Sequence, residues 1–226
     1  ERSGRSVSSA GDVNGDGFDD VVIGAYASSS GNPAAGETYV VFGKASGFSA
    51  SLDLSTLDGT NGFRLVGFDE ADFSGRSVSS AGDVNGDGFD DVLVGVPRGS
   101  LGDLLFVGET YVVFGKASGF AASLSLSSID GTNGFRIDGI DQATQSGYSV
   151  SSAGDVNGDG FDDILIGAPF REVFGEPFSG SSFVVFGGNF SGGVTLGTTG
   201  DDILTGGSNN DQLISGLGAD TINGAG

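Results

Sequence analysis

One block of sequence occurs three times in this chain, and that repetition constrains the fold more than any other feature. Residues 3–20 recur letter for letter as residues 74–91, and they return as residues 146–163 with one change, Tyr148 in place of an arginine. The offsets of 71 (74 − 3) and 72 (146 − 74) residues define the length of one unit. Such a period predicts supersecondary units that each pack against their neighbours in the chain.

Each unit contains short runs of β-branched and aromatic residues separated by glycine, asparagine and aspartate. This pattern predicts strands joined by turns. In the first unit the predicted strands are Ser6–Ala10, Asp20–Ala25, Thr38–Phe42 and Gly62–Val66. The third unit is shorter, and its third and fourth strands are predicted at Ser182–Phe186 and Gly193–Gly197. Four antiparallel strands per repeat are typical of a β-propeller blade.

Between the first two predicted strands, each unit carries the acidic loop D-x-N-x-D-G-x-x-D. Oxygen-bearing side chains at positions 1, 3, 5 and 9, with glycine at position 6, suit a loop that wraps a hard cation such as Ca²⁺. The alternative is an ordinary turn without metal, which three copies at equal positions disfavour. The predicted ligands, including the backbone carbonyl at position 7, are Asp12, Asn14, Asp16, Phe18, Asp20, Asp83, Asn85, Asp87, Phe89, Asp91, Asp155, Asn157, Asp159, Phe161 and Asp163. We expect the aspartates at position 8 to point away from the ion and tune the local charge; they are Asp19, Asp90 and Asp162.

The composition restricts the chemistry that the chain can perform. Thirty acidic and nine basic residues give a formal net charge of −21, so nucleic acid is not an expected partner. Cysteine and histidine are absent, which removes most nucleophilic and zinc-dependent catalysis. No nucleophile or phosphate-binding motif is present, and we expect no enzymatic activity, with an aspartate-only hydrolase as the alternative. No apolar stretch approaches the ~20 residues that span a membrane.

The second and third predicted strands carry a family resemblance. The segments VFG at residues 41–43, 113–115 and 185–187, with GAY at 24–26, GVP at 95–97 and GAP at 167–169, resemble FG-GAP repeats, the blades of integrin α-type propellers. The first copy has Tyr26 where the motif has proline. The resemblance implies an all-β fold, a partial β-propeller of three four-stranded antiparallel blades. Propellers have ~4–8 blades, so either the chain is a fragment or several chains complete each other.

From Gly197 the repeat length falls to nine residues. The three copies place aspartate at the sixth position and an aliphatic residue at the eighth. This resembles the RTX nonapeptide, which implies a short parallel β-roll-like tail, calcium between its turns and bacterial type I secretion. The alternative is a flexible tail. The tail residues assigned as ligands are Asp202, Asp211 and Asp220.

The predicted domains are three blades at residues 1–73, 74–145 and 146–196, and the RTX-like repeats at 197–226. The connections between the second and third strands differ most between copies. In integrin-type propellers such loops lie opposite the calcium loops and contact partners; the alternative is that their large side chains fold back onto the blades. The candidate partner-binding residues are Leu101, Leu104, Leu105, Phe106, Phe170, Arg171, Phe174 and Phe178.

Together these features predict a secreted, extracellular calcium-binding module for adhesion or recognition, with an extracellular protein or glycan as partner. The alternative is a structural subunit of an extracellular filament or surface layer, formed by self-association in which blades of adjacent chains complete each other. A third interpretation is a passenger segment of a larger exported protein whose activity lies elsewhere.

Overall fold

The computed structural model describes residues 2–28, 32–172 and 179–190, together with the backbone of four short strands beyond them. Apart from two single-turn 3₁₀ helices, Leu54–Thr56 and Leu126–Ser128, the regular structure of these residues is β. No helix in this part of the chain has the length and apolar character that a membrane crossing needs. The predicted all-β class is confirmed.

Each repeat forms one antiparallel sheet. The strands of the first sheet are β1 (Ser6–Gly11), β2 (Asp20–Ala25), β3 (Glu37–Val41) and β4 (Gly62–Val66). Those of the second are β5 (Ser77–Gly82), β6 (Asp91–Val96), β7 (Glu109–Val113) and β9 (Gly134–Asp138). The third sheet contains β10 (Ser149–Gly154), β11 (Asp163–Ala168) and β12 (Ser181–Val185). Neighbours pair in chain order, and β1, β5 and β10 lie side by side, as the innermost strands of consecutive propeller blades do.

Two features of strand pairing differ from the prediction of four strands per sheet. Strand β8 (Ser123–Ser125), from the second repeat, pairs in parallel with β4 and becomes a fifth strand of the first sheet. The predicted fourth strand of the third repeat forms as β13 (Val194–Leu196), but its partner is β15 (Gln212–Ile214) and not β12. A strand of three residues forms only a few backbone hydrogen bonds. Its own sequence therefore does not determine which strand edge it pairs with.

Between consecutive sheets lie the two hydrophobic cores of the described residues. The first contains Val22 and Phe42 from the first sheet against Val78 and Val92 from the second. The second core repeats this arrangement between the second and third sheets. The central strand β6 is buried along its whole length, as a continuous apolar run predicts for a strand covered on both faces. The sheets therefore stabilise one another through their flat faces.

The backbone of the tail forms short parallel pairs. β13 pairs with β15, and β14 (Ile203–Thr205) pairs with β16 (Thr221–Asn223). In both pairs the partners are 18 residues apart, as Val194 opposite Gln212 and Ile203 opposite Thr221 show. The separation equals two nonapeptides.

Candidate metal loops and the surface opposite them

Each acidic loop connects the first and second strands of its sheet, as predicted, and its own side chains hold it closed. The carboxylate of Asp12 accepts the N–H of Asp16 at 3.0 Å and that of Gly17 at 2.9 Å, and the Asn14 side-chain oxygen also accepts the N–H of Asp16 at 2.8 Å. The second and third loops form the same bonds around Asp83 and Asp155. The three loops therefore share one backbone conformation.

The aspartate at position 9 is a buried connection between the loop and the VFG segment. One carboxylate oxygen of Asp20 accepts the N–H of Val13 at 3.0 Å, and the other accepts the N–H of Gly43 at 2.7 Å. Asp91 and Asp163 form equivalent pairs of bonds in their repeats. A Cβ on Gly43 would lie 2.4 Å from the Asp19 carbonyl oxygen, so glycine is required there. Sequence reasoning assigned this aspartate only as a ligand; the constant spacing between loop and VFG segment was the signal for its second role.

Negative charge accumulates in these loops. Burial raises the pKa of Asp20 to about 6, against the lowering by its two backbone hydrogen bonds, and the nearby carboxylates of Asp16 and Asp12 raise it further. The same causes raise the pKa of Asp91 well above its ordinary value. Among the described residues, the ion pairs of Arg and Lys side chains involve none of the loop aspartates.

The donor chemistry of each loop therefore fits a hard, oxygen-seeking cation: carboxylate and amide oxygens, crowded like charges and no basic partner. The geometry is less complete. Within residues 2–28, 32–172 and 179–190, no three acidic side chains converge in the way that a bound metal ion would need. The loops are placed and closed as the sequence predicts, but the convergence of their ligands stays a prediction.

Two of the three position-8 aspartates have a role that the sequence interpretation did not include. The Asp90 carboxylate points away from its own loop and accepts the N–H of Asp12, in the preceding loop, at 2.7 Å. Asp162 accepts the N–H of Asp83 in the same way at 3.0 Å. Each position-8 carboxylate thus joins its own loop to the previous one, a contact that could not be read from one repeat alone. Asp19, in the first repeat, is exposed.

The candidate partner residues lie in loops at the other end of the strands, because the β1–β2 and β2–β3 connections leave opposite ends of β2. Leu105, Phe106 and Phe170 are exposed. Leu101 and Leu104 are half-buried and bond to each other through both backbone N–H groups at 3.0 Å, so this part of the loop folds back on itself. The half-buried Arg171 forms an ion pair with Asp141 at 3.0 Å, and Phe174 and Phe178 lie outside the described residues.

At the same end of the molecule, arginine and tyrosine side chains stack across the sheets, a feature that the sequence interpretation missed. The Arg76 guanidinium lies 4.4 Å from the Tyr148 ring centroid and 5.8 Å from that of Tyr26. The Arg5 guanidinium also lies near this ring, at 5.9 Å from the Tyr26 ring centroid. Tyr26 stands where the other two repeats have proline, and Tyr148 where they have arginine, and these departures were the available signal. These departures place Arg76, from the second repeat, between the ring of Tyr26 from the first repeat and that of Tyr148 from the third.

Comparison with known proteins agrees with this geometry. The FG-GAP repeat family matches residues 3–41, 74–113 and 146–196, which contain the first three strands and the acidic loop of each sheet. The chain belongs to the FG-GAP repeat family. In this FG-GAP protein the glycine of the VFG segment leaves room for the acidic loop, and its N–H donates to the buried position-9 aspartate. The family motif and the loop therefore form one structural unit.

Relatives of this FG-GAP protein include two kinds of protein. Phosphatidylinositol-glycan-specific phospholipase D of Bos taurus is 32% identical over 190 residues, covering 80% of this chain and 21% of the relative. Integrin alpha-4 of Xenopus laevis is 31% identical over 160 residues, covering 70% of the chain and 14% of the relative. Integrin alpha-PS5 of Drosophila melanogaster is 37% identical over 99 residues, covering 44% and 9%. The chain therefore corresponds to about a fifth or less of these relatives.

Proposed function

We propose that this FG-GAP protein is a secreted, extracellular recognition module in which Ca²⁺ bound by the three acidic loops rigidifies the blades and the opposite loops contact a partner. The observation that carries the proposal is the buried position-9 aspartate. It lies among other carboxylates, it forms no ion pair with a basic side chain of the described residues, and it connects the loop to the VFG segment. A cation bound at this position would stabilise both the hairpin that carries the loop and the VFG segment of the same sheet.

The proposed ligands in the first loop are the side chains of Asp12, Asn14, Asp16 and Asp20 and the carbonyl of Phe18, with the equivalent residues in the other two loops. Bound Ca²⁺ supplies positive charge that offsets carboxylate repulsion. The chain's own part is to hold the loop backbone in place through the bonds of Asp12 and Asp20. Binding to the folded state alone would add about 3 kcal/mol per site at a hundredfold excess over Kd.

Calorimetric titration of chelator-treated protein with CaCl₂, followed by thermal unfolding, tests the calcium sites. We expect at least three ions to bind, one in each acidic loop, and the melting temperature to rise. Each of the variants Asp16→Asn, Asp87→Asn and Asp159→Asn should lose one ion. Asp58→Asn, in an acidic turn that lacks the loop pattern, is the matched control and should keep all three. Absence of binding, or binding that leaves the melting temperature unchanged, would contradict the structural role.

For the tail, we propose an RTX-like roll as a further calcium element. The parallel pairing of strands two nonapeptides apart supports it. The proposed ligands Asp202, Asp211 and Asp220 lie outside the described residues. Export by bacterial type I secretion is the corresponding proposal for localisation. A titration in which the chain binds more than three ions, and in which Asp202→Asn lowers that number, would test the tail separately from the three loops.

The partner surface consists of Leu105, Phe106 and Phe170, next to the stacked Arg76 and Tyr148. Exposed aromatic side chains and arginine are the residues that most often dominate binding energy at protein interfaces. The Arg98 guanidinium lies 5.6 Å from the Phe106 ring and 4.3 Å from the Phe73 ring, and Phe73 packs edge-on against Tyr26. An extracellular protein or a glycan is the proposed ligand class.

Arrays of extracellular matrix proteins and of glycans, probed with the calcium-loaded chain, test this surface. For any arrayed molecule that the unmodified chain binds, the double variant Leu105→Ser, Phe106→Ser should have an affinity at least tenfold lower. Phe48→Ser is the control, because Phe48 is more exposed than either residue but lies in the connection that leaves the metal-loop end of the first sheet. Equal loss for both variants, or none for either, would contradict a partner surface at the opposite end.

We further propose that the module is not catalytic. Both integrins and a phospholipase D are among the relatives, and the chain covers only 21% of the latter. The carboxylates clustered in the described loops already serve the backbone and the proposed ion. Assay of the calcium-loaded chain against phosphodiester and glycoside substrates should give no turnover above buffer, and turnover abolished by Asp87→Asn would overturn this part of the proposal.

A further inference from the structure

At the end of the strands opposite the acidic loops, one arginine side chain contacts two phenylalanine rings. The Arg98 guanidinium lies 4.3 Å from the Phe73 ring centroid and 5.6 Å from that of Phe106. Both phenylalanines have a positive φ, of 62° and 55°, which a bulky side chain rarely adopts. Backbone strain of this kind is concentrated at sites that hold ligands, and here it positions both rings against the cation.

A second arginine of the same repeat is held in a similar way. The Arg76 guanidinium lies between the rings of Tyr26 and Tyr148, and it donates to the Tyr148 hydroxyl at 2.7 Å. An edge contact between Tyr26 and Phe73, with ring centroids 5.5 Å apart, joins this arrangement to that of Arg98. The two cations therefore belong to one continuous set of side chains, which we call the arginine row: Phe106, Arg98, Phe73, Tyr26, Arg76 and Tyr148.

Neither arginine of this row forms an ion pair with a carboxylate among residues 2–28, 32–172 and 179–190; the ion pairs there involve three other arginines. Asp72 bonds to Arg98 through its backbone carbonyl, which accepts the Arg98 N–H at 3.3 Å. Both guanidinium groups are half-buried, in a chain with 30 acidic and nine basic residues. A guanidinium has five N–H donors, and stacking against rings uses none of them. The row therefore has donors for an anion.

The arginine row lies in the middle of the stack of sheets. Both arginines belong to the second repeat, whose sheet has a described sheet on each side, and the rings come from all three repeats. Apolar side chains adjoin the row: Leu105 and Phe106, in the same connection as Arg98, are 50% and 41% exposed. A ligand at this place would therefore meet two cations and an apolar surface together.

We propose that the arginine row binds a short acidic segment of another protein, with one carboxylate on Arg76, one on Arg98 and an apolar side chain on Leu105 and Phe106. The inference rests on the proposed recognition function of this end of the molecule and names its partner class. A planar guanidinium matches the two oxygens of a carboxylate with two parallel hydrogen bonds, and clustered arginines recognise acidic motifs in this way. The rings hold each guanidinium before the ligand arrives, so binding orders few further groups.

Charge and apolar character favour a protein segment over an anionic polysaccharide. The chain has a formal net charge of −21, and the exposed side chains of Asp69, Glu70 and Asp103 lie in the connections that carry the row. A long polyanion would extend past the arginines onto such acids and be repelled, whereas a short segment places its carboxylates on the guanidinium groups alone. Leu105 and Phe106 also need an apolar counterpart, which a leucine or phenylalanine side chain supplies and an acidic sugar does not.

Selection of random dodecapeptides displayed on phage, with the full chain in calcium as bait, tests the proposal. We expect the selected sequences to be enriched in paired acidic residues next to a large apolar one. Fluorescence anisotropy of a labelled selected peptide should give an affinity about tenfold lower for Arg76→Gln and for Arg98→Gln. Arg98→Lys keeps the charge without the planar donors and should also weaken binding. Lys116→Gln is the matched control and should bind normally, because Lys116 lies over a ring too, at 5.0 Å from the Phe120 centroid, but at the metal-loop end.

Selected peptides without acidic enrichment, or acidic peptides that bind both glutamine variants as tightly as the unmodified chain, would overturn the inference. Arginine-dependent binding of heparin or polygalacturonate without binding of acidic peptides would also overturn it, because the ligand would then be a glycan. If an arginine variant fails to fold, replacing the acidic residues of the peptide by their amides repeats the test on the unmodified chain, and unchanged affinity contradicts it. A partner that needs Leu105 and Phe106 but neither arginine would leave the recognition surface standing and remove only its acidic specificity.

Discussion

The second and third repeats have almost the same sequence through the acidic loop and the following strand, yet they differ in how they are covered. The second sheet has a neighbour on each face, and the third has one neighbour among the described residues. Leu93 is therefore buried and the equivalent Leu165 is exposed; Phe114 and Phe186 differ in the same way. Identical residues thus have different energetic roles, which the position of the sheet in the stack decides.

The two repeats also differ in a polar cluster. In the second, Glu109 is buried, accepts the hydroxyl of Tyr111 at 2.9 Å and faces Arg136 at 3.9 Å. The third repeat has Ser181 and Phe183 at the positions of the glutamate and tyrosine. The second sheet therefore contains a buried charge system that the third sheet lacks at these positions.

The largest expected effect comes from truncating equivalent leucines. Leu93→Ala removes a fully buried side chain and should lower the free energy of unfolding by about 2–5 kcal/mol. Leu165→Ala acts on an exposed side chain, so a change within about 0.5–1 kcal/mol is expected. Urea unfolding at low protein concentration in calcium measures both. A Leu165→Ala cost as large as that of Leu93→Ala would show that the third sheet is covered in solution.

A pH dependence should separate the second repeat from the third. Burial raises the pKa of Glu109 from 4.5 to about 7, opposed by Arg136 and Tyr111 and assisted by Asp138 and Asp72. The folded state then binds more protons than the unfolded state between these two values, so stability falls as pH rises through that window.

Replacement of this carboxyl by a neutral amide tests the effect. In Glu109→Gln, unfolding free energies measured from pH 4 to 8 should lack this contribution, on the order of 1–3 kcal/mol. The unfolding free energy of Glu109→Gln should therefore increase relative to that of the unmodified chain as pH rises through this window. Ser181→Ala, at the equivalent position of the third repeat, is the control and should leave the pH profile unchanged. Parallel profiles for Glu109→Gln and the unmodified chain would contradict the raised pKa.

The position-8 aspartates sharpen the comparison at smaller scale. Asp90→Ala removes the carboxylate that holds the Asp12 N–H across the contact between the first and second sheets, and it should cost about 1–2 kcal/mol. Asp19→Ala, at the same position of the first repeat, removes an exposed carboxylate and should cost almost nothing in a dilute monomer. Thermal unfolding of both variants in calcium measures the difference. Equal costs would mean that the bond between sheets contributes no net stability.

The sequence predicted the local structure of these repeats well, because strands, turns and loop closure depend on neighbouring residues. The predicted strands Asp20–Ala25 and Gly62–Val66 coincide with β2 and β4, and the other predicted strands of the first repeat differ from the structure by a single residue at one or both ends. The hairpin position of the acidic loop was predicted correctly as well.

Contacts between repeats were not predictable in the same way. The acceptor role of Asp90 was missed because it needs the backbone of another loop, 78 residues distant. The pairing of Ser123–Ser125 with the first sheet likewise depends on which strand edge is left open. Burial of the repeated apolar residues depends on neighbours too, so identical sequence could not distinguish the covered faces from the free ones.

The smallest predicted effect concerns the arginine that the repeats place between two tyrosines. Arg76 stacks on Tyr148, at 4.4 Å from its ring centroid, and donates to its hydroxyl at 2.7 Å, so it connects the second sheet to the third. Arg5, at the equivalent position of the first repeat, has a ring contact at 5.9 Å and no preceding sheet in the described residues. Arg76→Ala should cost about 1 kcal/mol, and Arg5→Ala a few tenths.

Tyr148→Phe separates the stacking contribution of Arg76 from its hydrogen-bond contribution, because it keeps the ring under the guanidinium and removes the hydroxyl. If stacking dominates, Tyr148→Phe is nearly neutral and Arg76→Ala carries most of the loss; if the hydrogen bond dominates, the two variants cost the same. A double-mutant cycle on thermal unfolding distinguishes these results. Coupling near zero between the two residues would mean that the arginine contributes nothing to the contact between sheets. The apolar core and the position-8 aspartates would then account for that contact by themselves.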